Sequence, residues 1–183
     1  VPDDLRIAER PEEVLERLIP GHWEGDLIKG AHNRSAVGTL VERTSRLVRI
    51  ARMDGLDAAA AQKAFERLFS DVPEAMRKTL TYDRGTEMAR HAELTRNTGV
   101  KVYFADPYCP WQRPSNENMN GLIRQYLPKG IDLSAFSQDD LDEIAYRLNS
   151  RPRKILDFQT PYEVYHQSVE KLHAAQQNGA IQN

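Results

Sequence analysis

The sequence predicts an α/β domain built on a five-stranded mixed sheet, three antiparallel strands followed by two parallel ones, flanked by helices. Three observations predict it. Residues 22–28, 36–42 and 47–53 read as strands whose connections are short enough to require an antiparallel meander. Residues 78–82 and 100–105 read as two further strands, each preceded by a helical pattern; such alternation implies parallel pairing through crossovers. Beyond residue 113 the apolar spacing is helical throughout, which supplies cover for both faces of the sheet.

Taken in order, residues 1–20 are charged and carry a short helical pattern in 11–18, with Val14, Leu15 and Leu18 on one side. They read as an arm or linker leading into a domain over 21–173. The first strand alternates Trp23, Gly25 and Leu27, and sets Asp26 among residues that want burial. Asp is disfavoured in strands, so Asp26 needs a reason, whether a hairpin end, a cap or a function. A polar turn at 30–35 and another around Thr44 and Ser45 join the meander, and Asp54-Gly55 ends it. Residues 58–69 form an Ala-rich helix with Ala61, Phe65, Leu68 and Phe69 on one stripe. The strand at 78–82 turns at Asp83, Arg84 and Gly85, and a helix over 87–97 is stopped by Gly99. The strand at 100–105 is nearly all apolar and should be buried on both faces.

Three prolines, an indole and Cys109 make residues 106–115 a constrained loop. An amphipathic helix follows within 111–130, with Met119, Leu122, Ile123 and Tyr126 facing a core. At roughly 100° per residue, Glu117, Asn120, Gly121 and Arg124 fall on its other side. Residues 138–148 form another helix through Leu141, Ile144, Ala145 and Leu148. Thr160-Pro161-Tyr162-Glu163 is a capping box with Pro at the first helical position, opening a last helix to about His173. Residues 174–183, rich in Gln, Asn and Ala, are expected to be a disordered tail.

The chain has 183 residues, 40% of them apolar, enough for one real core. A single cysteine excludes an internal disulfide, and no apolar run of about 18 residues suggests a membrane span. There is no His/Cys ligand cluster and no phosphate-cradling Gly loop, and nothing suggests a small-molecule substrate. The chain opens at Val1 without Met, and is expected to be a piece of something longer. Its formal charge of −2 argues against a nucleic-acid partner, but the distribution argues for one. Residues 1–26 hold eight acids and three bases, whereas residues 27–52 hold six bases against Glu42 alone. That basic stretch, with Arg43 and Arg49, and a second with Arg151, Arg153 and Lys154, are candidate phosphate-contacting surfaces.

Three carboxylates stand out: Asp26 in the first strand, Asp83 at the end of the fourth and Glu117 at the head of a helix. If the first and fourth strands are neighbours, the two aspartates lie about 5 Å apart. Glu117 would then close a cluster whose repulsion a shared hard cation relieves. Mg²⁺ takes one or two carboxylates plus phosphate oxygens, and two such ions can serve phosphoryl transfer. Spacing alone remains modest support, because 27 acids offer many triples. A glycosidase also uses paired carboxylates, yet an aromatic content of 8% offers no obvious sugar platform.

The blocks GHWEGDLIKG, TLVERTSRLV, TYDRGTE, YFADPYCPWQRPSNENMNGLIRQYLPKG and LNSRPRKILDFQTPYEVY together resemble the catalytic region of insertion-sequence-thirty family transposases. These belong to the wider group with a retroviral-integrase core and a ribonuclease H-like fold. The resemblance covers about residues 20–165. It implies catalytic and metal-binding roles for Asp26, Asp83 and Glu117, the last two separated by 33 residues as the family pattern requires. It also implies Mg²⁺ or Mn²⁺, hydrolytic release of a 3′-OH at element ends and attack of that hydroxyl on target DNA. Candidate DNA contacts in the same block are Arg113, Asn116, Asn120, Arg124 and Lys129. The implied partners are DNA, as terminal repeats and target, and further copies of the chain in a transposition complex, within the bacterial cytoplasm at the nucleoid. Pro114 stands where the family usually has Gly, which motivates a second expectation: a repurposed copy that binds DNA or partner subunits without catalysis. A nuclease related to ribonuclease H is a third.

Overall fold

The computed structural model describes residues 5–83, 85, 88–106, 109 and 112–180, with backbone alone at 179 and 180. Strands β1 (His22–Lys29), β2 (Ala36–Glu42), β3 (Val48–Arg52), β4 (Thr79–Tyr82) and β5 (Lys101–Phe104) form one sheet in the order β3-β2-β1-β4-β5. β1, β2 and β3 pair antiparallel, while β4 is parallel to β1 and β5 to β4. The expected mixed sheet is therefore present, and the chain returns to β1 to extend it.

Helices α2 (Ala58–Phe69), α3 (His91–Thr98) and α6 (Pro161–Ala180) cover one face, and α4 (Pro114–Ile123) and α5 (Gln138–Asn149) the other. β1 sends Trp23 and Leu27 to the first layer and Ile28 to the second, as period-two alternation requires. Gly25 is needed on the first face: a Cβ there would lie 2.9 Å from Phe65 and 3.0 Å from Leu80 and Tyr82. In the second layer Met119 and Ile123 of α4 pack with Leu141, Ile144 and Leu148 of α5. That stripe fixes which side of α4 turns towards the sheet.

Both sheet edges are covered. Asn149 donates to the Val48 carbonyl at 2.8 Å and accepts from its N–H at 2.9 Å. Gln138 does the same for the Ile50 carbonyl and the Arg52 N–H, at 2.8 and 3.0 Å. These amides from α5 occupy the outward groups of β3 that would otherwise template another strand. At the opposite edge Arg6 forms a parallel bridge with Phe104.

Several expectations need correction. The arm is docked over its described part, residues 5–20: Leu5 packs on the core, Val14 is fully buried and Arg10 donates to Thr81 at 2.9 Å. Its helix, α1 (Glu13–Glu16), is one turn, ended by left-handed Arg17, so Leu15 and Leu18 stay exposed at 66% and 73%. The tail is not disordered from residue 174, because α6 runs to Ala180. Ala174, Ala175, Gln176 and Gln177 are exposed but are good helix formers, and they extend a helix already nucleated by the Thr160–Glu163 capping box. Residues 181–183, Arg84, and the Glu87 start expected for α3 lie outside the described residues. Among the described residues no helix is long and apolar enough to cross a membrane.

The arm also carries a titrating contact. His22 is 1% exposed, with Nδ1 2.8 Å from Thr79 Oγ1 and Nε2 3.0 Å from Glu13 Oε1. Burial outweighs the attraction of Glu13, and with Lys78 and Arg43 nearby the imidazole is pushed from 6.5 down to about 4. A depressed histidine contributes stability that is present above pH 6.5 and lost as pH falls towards 4. Urea denaturation across that window should therefore show stability rising with pH, with a shallower slope in His22→Gln. An unchanged slope would remove His22 as the cause.

Candidate active site

The parallel register pairs His22 with Thr79, Trp23 with Leu80 and Glu24 with Thr81. Carried two residues further, that register sets Asp26 opposite Asp83, the first residue after β4. Both then lie on the α4 side of the sheet, by the alternation that puts Ile28 there. The neighbour relation of the first and fourth strands, left as a condition by the sequence, is met.

One cation joins the two acids. The Arg113 guanidinium stands 3.6 Å from Asp26 Oδ1 and 3.6 Å from Asp83 Oδ2, and donates to the Gly25 carbonyl at 2.9 Å. Asn120 Nδ2 donates to Asp26 Oδ2 at 2.8 Å, and the Leu27 N–H donates to Oδ1 at 2.9 Å. Burial pushes the Asp26 carboxyl above its ordinary range; Arg113 opposes that and Asp83 reinforces it. The pair is thus a crowded anionic centre held by a guanidinium.

α4 is locked onto this centre by a residue that sequence reasoning passes over. Glu24 is fully buried, forms an ion pair with Arg43, and accepts the Asn116 N–H at 2.8 Å. It therefore supplies an acceptor for the unsatisfied first turn of the helix. Thr39, also fully buried, donates to the Asp26 carbonyl at 3.2 Å. Period two offered a signal for Glu24, since it precedes Asp26 by two positions and shares its face. Pro114 is the first residue of α4, where its missing N–H leaves no helical bond unmade.

Glu117 occupies the first turn of α4 and is exposed. Among the described residues no three His, Cys, Asp or Glu side chains are grouped so as to hold a metal. Asp26 and Asp83 face each other across Arg113, and Glu117 is not grouped with them. The donor set nevertheless fits a divalent cation. Two hard carboxylates converge on a single positive group, and Glu117 lies one turn after Arg113, to whose carbonyl its N–H donates at 3.2 Å.

The candidate DNA contacts divide. Arg43 and Asn116 are 3% and 1% exposed: the Arg43 guanidinium is paired with Glu24, and the Asn116 side chain is buried away from any surface. Arg113 and Asn120 hold the acids, and Arg124 spends its guanidinium on the Lys29 and Leu127 carbonyls at 3.0 and 3.3 Å. Arg49 pairs with Asp71 on the α2 side of the sheet, away from the acids. Lys129, Arg151 and Lys154 are exposed, and Arg153 is half-buried. Trp111 lies outside the described residues.

Residues 18–110, which include Asp26 and Asp83, match the family model described as "Integrase core domain". The chain is 58% identical over 164 residues to the transposase for insertion sequence element IS1086 of Cupriavidus metallidurans, covering 90% of this chain and 48% of that protein. It is 50% identical over 163 residues to transposase InsI for insertion sequence element IS30A of Escherichia coli K12, covering 89% and 42%. The chain thus spans about half the length of the curated relatives it matches. Among solved structures it resembles the catalytic core domain of BIV integrase, with a TM-score of 0.63 at 20% identity, over 84% of this chain and 98% of that one. It also resembles a chain of the simian T-cell lymphotropic virus intasome in complex with PP2A regulatory subunit B56 gamma, with a TM-score of 0.65 at 16% identity, over 81% and 55%. The fold is accordingly ribonuclease H-like.

Proposed function

This chain belongs to the integrase core domain family, and on that premise we propose that it is the catalytic core of an insertion-sequence transposase. It cleaves DNA at the element's ends and joins the freed 3′-OH to target DNA. The observation that carries this reading is Asp26 and Asp83, brought side by side at the β1–β4 junction and sharing one cationic partner.

Asp26 and Asp83, with Glu117 as third donor, would hold the Mg²⁺ or Mn²⁺ of this reading, which when bound would supply Lewis-acid activation of the attacking and leaving oxygens. The chain's own contribution is orientation. Asn120 and the Leu27 N–H fix the two Asp26 oxygens, and Glu24 fixes the first turn of α4, from which Glu117 projects. Arg113, once separated from the carboxylates, is a cation free to meet a phosphate.

The test is cleavage of duplex DNA bearing the cognate terminal repeat, in Mn²⁺ and in EDTA. Metal-dependent cuts at the repeat end are expected; equal cutting in EDTA, or none in either, would count against the reading. Cleavage confined to an RNA–DNA hybrid would instead favour a ribonuclease. The reading of a copy that binds without catalysis loses its motive, because Pro114 starts α4 at a position that tolerates it. Action at the bacterial nucleoid and assembly of several copies on DNA belong to the same proposal, and light scattering of the protein–DNA complex measures the copy number.

Arg113 gives a separate prediction. Because it competes for the same oxygens, Arg113→Gln should tighten Mn²⁺ binding about tenfold by calorimetry, equivalent to ~1.4 kcal/mol. Unchanged or weaker binding in a folded variant would mean that the guanidinium and the metal do not compete.

A further inference from the structure

On the side of α4 away from Asp26 lies a second feature that the acid chemistry does not use. Arg17 from the arm, Arg46 from the β2–β3 turn and Arg153 from the segment after α5 line one cleft with Ser115, Leu122 and Ile155. Three of the sequence blocks quoted above, TLVERTSRLV, the Ser115 stretch and LNSRPRK, meet there.

No carboxylate among the described residues lies within ion-pair distance of any of these arginines. Arg46 donates to the neutral Ser115 hydroxyl, Arg153 donates to the Leu148 carbonyl at 3.0 Å, and the buried Arg153 Nε has no hydrogen-bond partner. Burial lowers the Arg46 pKa, with Arg17 and Arg43 adding to that and Glu24 and Glu42 opposing it. Two of the three sit on left-handed backbone, Arg17 at φ 56° and Arg46 at φ 62°. Non-glycine residues adopt that conformation rarely and at a cost. A cleft that gathers like charges on strained backbone destabilises the free protein and is suited to an anion.

We propose that this cleft seats a backbone phosphodiester of the DNA substrate. Its volume of ≈ 200 Å³ is below the ~300 Å³ at which small-molecule pockets begin. A phosphate with its sugar edge against Leu122 and Ile155 is of that size. α4 separates the cleft from Asp26, and a helix with its side chains is about 10–12 Å across. At about 3.4 Å per nucleotide along one strand, the seated phosphate lies roughly three nucleotides from the scissile bond. The proposal rests on the reading of the chain as a DNA enzyme, but not on its metal chemistry.

The experiment is fluorescence anisotropy of a labelled terminal-repeat duplex in EDTA over a series of salt concentrations. Each phosphate contact contributes about −0.9 to the slope of log K against log salt. Arg17→Gln/Arg153→Gln should make the slope shallower by about 0.9, the share of one phosphate, whereas Lys63→Gln, exposed on α2, should retain it. Arg17→Gln alone, at a half-exposed position in the arm, guards against a folding defect and should give about half the change. An unchanged slope in both arginine variants overturns the proposal while leaving the catalytic reading intact. Failure of every form to bind DNA sinks that reading instead. Displacement of the DNA by inorganic phosphate at constant ionic strength, in the parent but not the arginine variants, would reassign the cleft to a free anion and overturn the strand assignment.

Discussion

Asp26→Asn, Asp83→Asn and Glu117→Gln each lower metal-dependent strand cleavage by on the order of 10³-fold or more, without unfolding the protein. Metal-centred charge stabilisation supplies several kcal/mol of transition-state energy, and each 1.36 kcal/mol is tenfold in rate. Asp26 and Asp83 both face the Arg113 cation, so either amide removes one of the two inner oxygen donors. The structural cost of Asp26→Asn is small. Burial and Asp83 already disfavour its charge, and an amide oxygen still accepts from Asn120. Thermal stability equal to or above that of the parent, together with lost cleavage, is the expected pair of results. Glu117 is the sharper test, because it stands exposed and apart from the aspartates. Parental cleavage by Glu117→Gln would remove it from the site while leaving the two aspartates in place.

Glu24→Ala should be the most destabilising single change near the site, by ~3–5 kcal/mol in urea denaturation. Removing one partner of a buried ion pair strands the other charge, and that penalty is of this size. Here the Arg43 guanidinium, 4% exposed, would be left without its carboxylate, and the Asn116 N–H at the head of α4 without an acceptor. Against a typical domain stability of about 5–15 kcal/mol, that is about a fifth or more of the total. The double variant Glu24→Gln/Arg43→Met should recover part of the loss, since partners in one network are not additive. If Glu24→Ala costs no more than an ordinary surface change, the pair does not anchor α4. Cleavage should fall in any surviving Glu24 variant, because the first turn of α4 carries Glu117.

Much of this was legible in the residues alone. Trp23, Gly25 and Leu27 alternate with Glu24 and Asp26, and that period of two already places both acids on one face. Ala61, Phe65, Leu68 and Phe69 fix the buried side of α2, and Met119 with Ile123 that of α4. Gly99 and the Thr160–Glu163 pair mark a helix end and a helix start through backbone angle and hydrogen bonding. Less legible was the arm, where a stripe of Val14, Leu15 and Leu18 stood for a helix that left-handed Arg17 stops after one turn.

Chain periodicity thus determined the mixed sheet and its helical layers, because burial imposes local repeats that survive without knowledge of partners; the pairing of β1 with β4, which sets Asp26 beside Asp83, was decided only in the folded sheet. The destination of each charge was decided only by tertiary contacts. Arg43 pairs with Glu24, Arg113 stands between Asp26 and Asp83, and Arg17, Arg46 and Arg153 line one cleft. A guanidinium near a basic run looks the same whether it will meet a phosphate or a buried carboxylate. The difference lies in which distant segment the sheet register and the docking of α4 bring within a few ångströms of it.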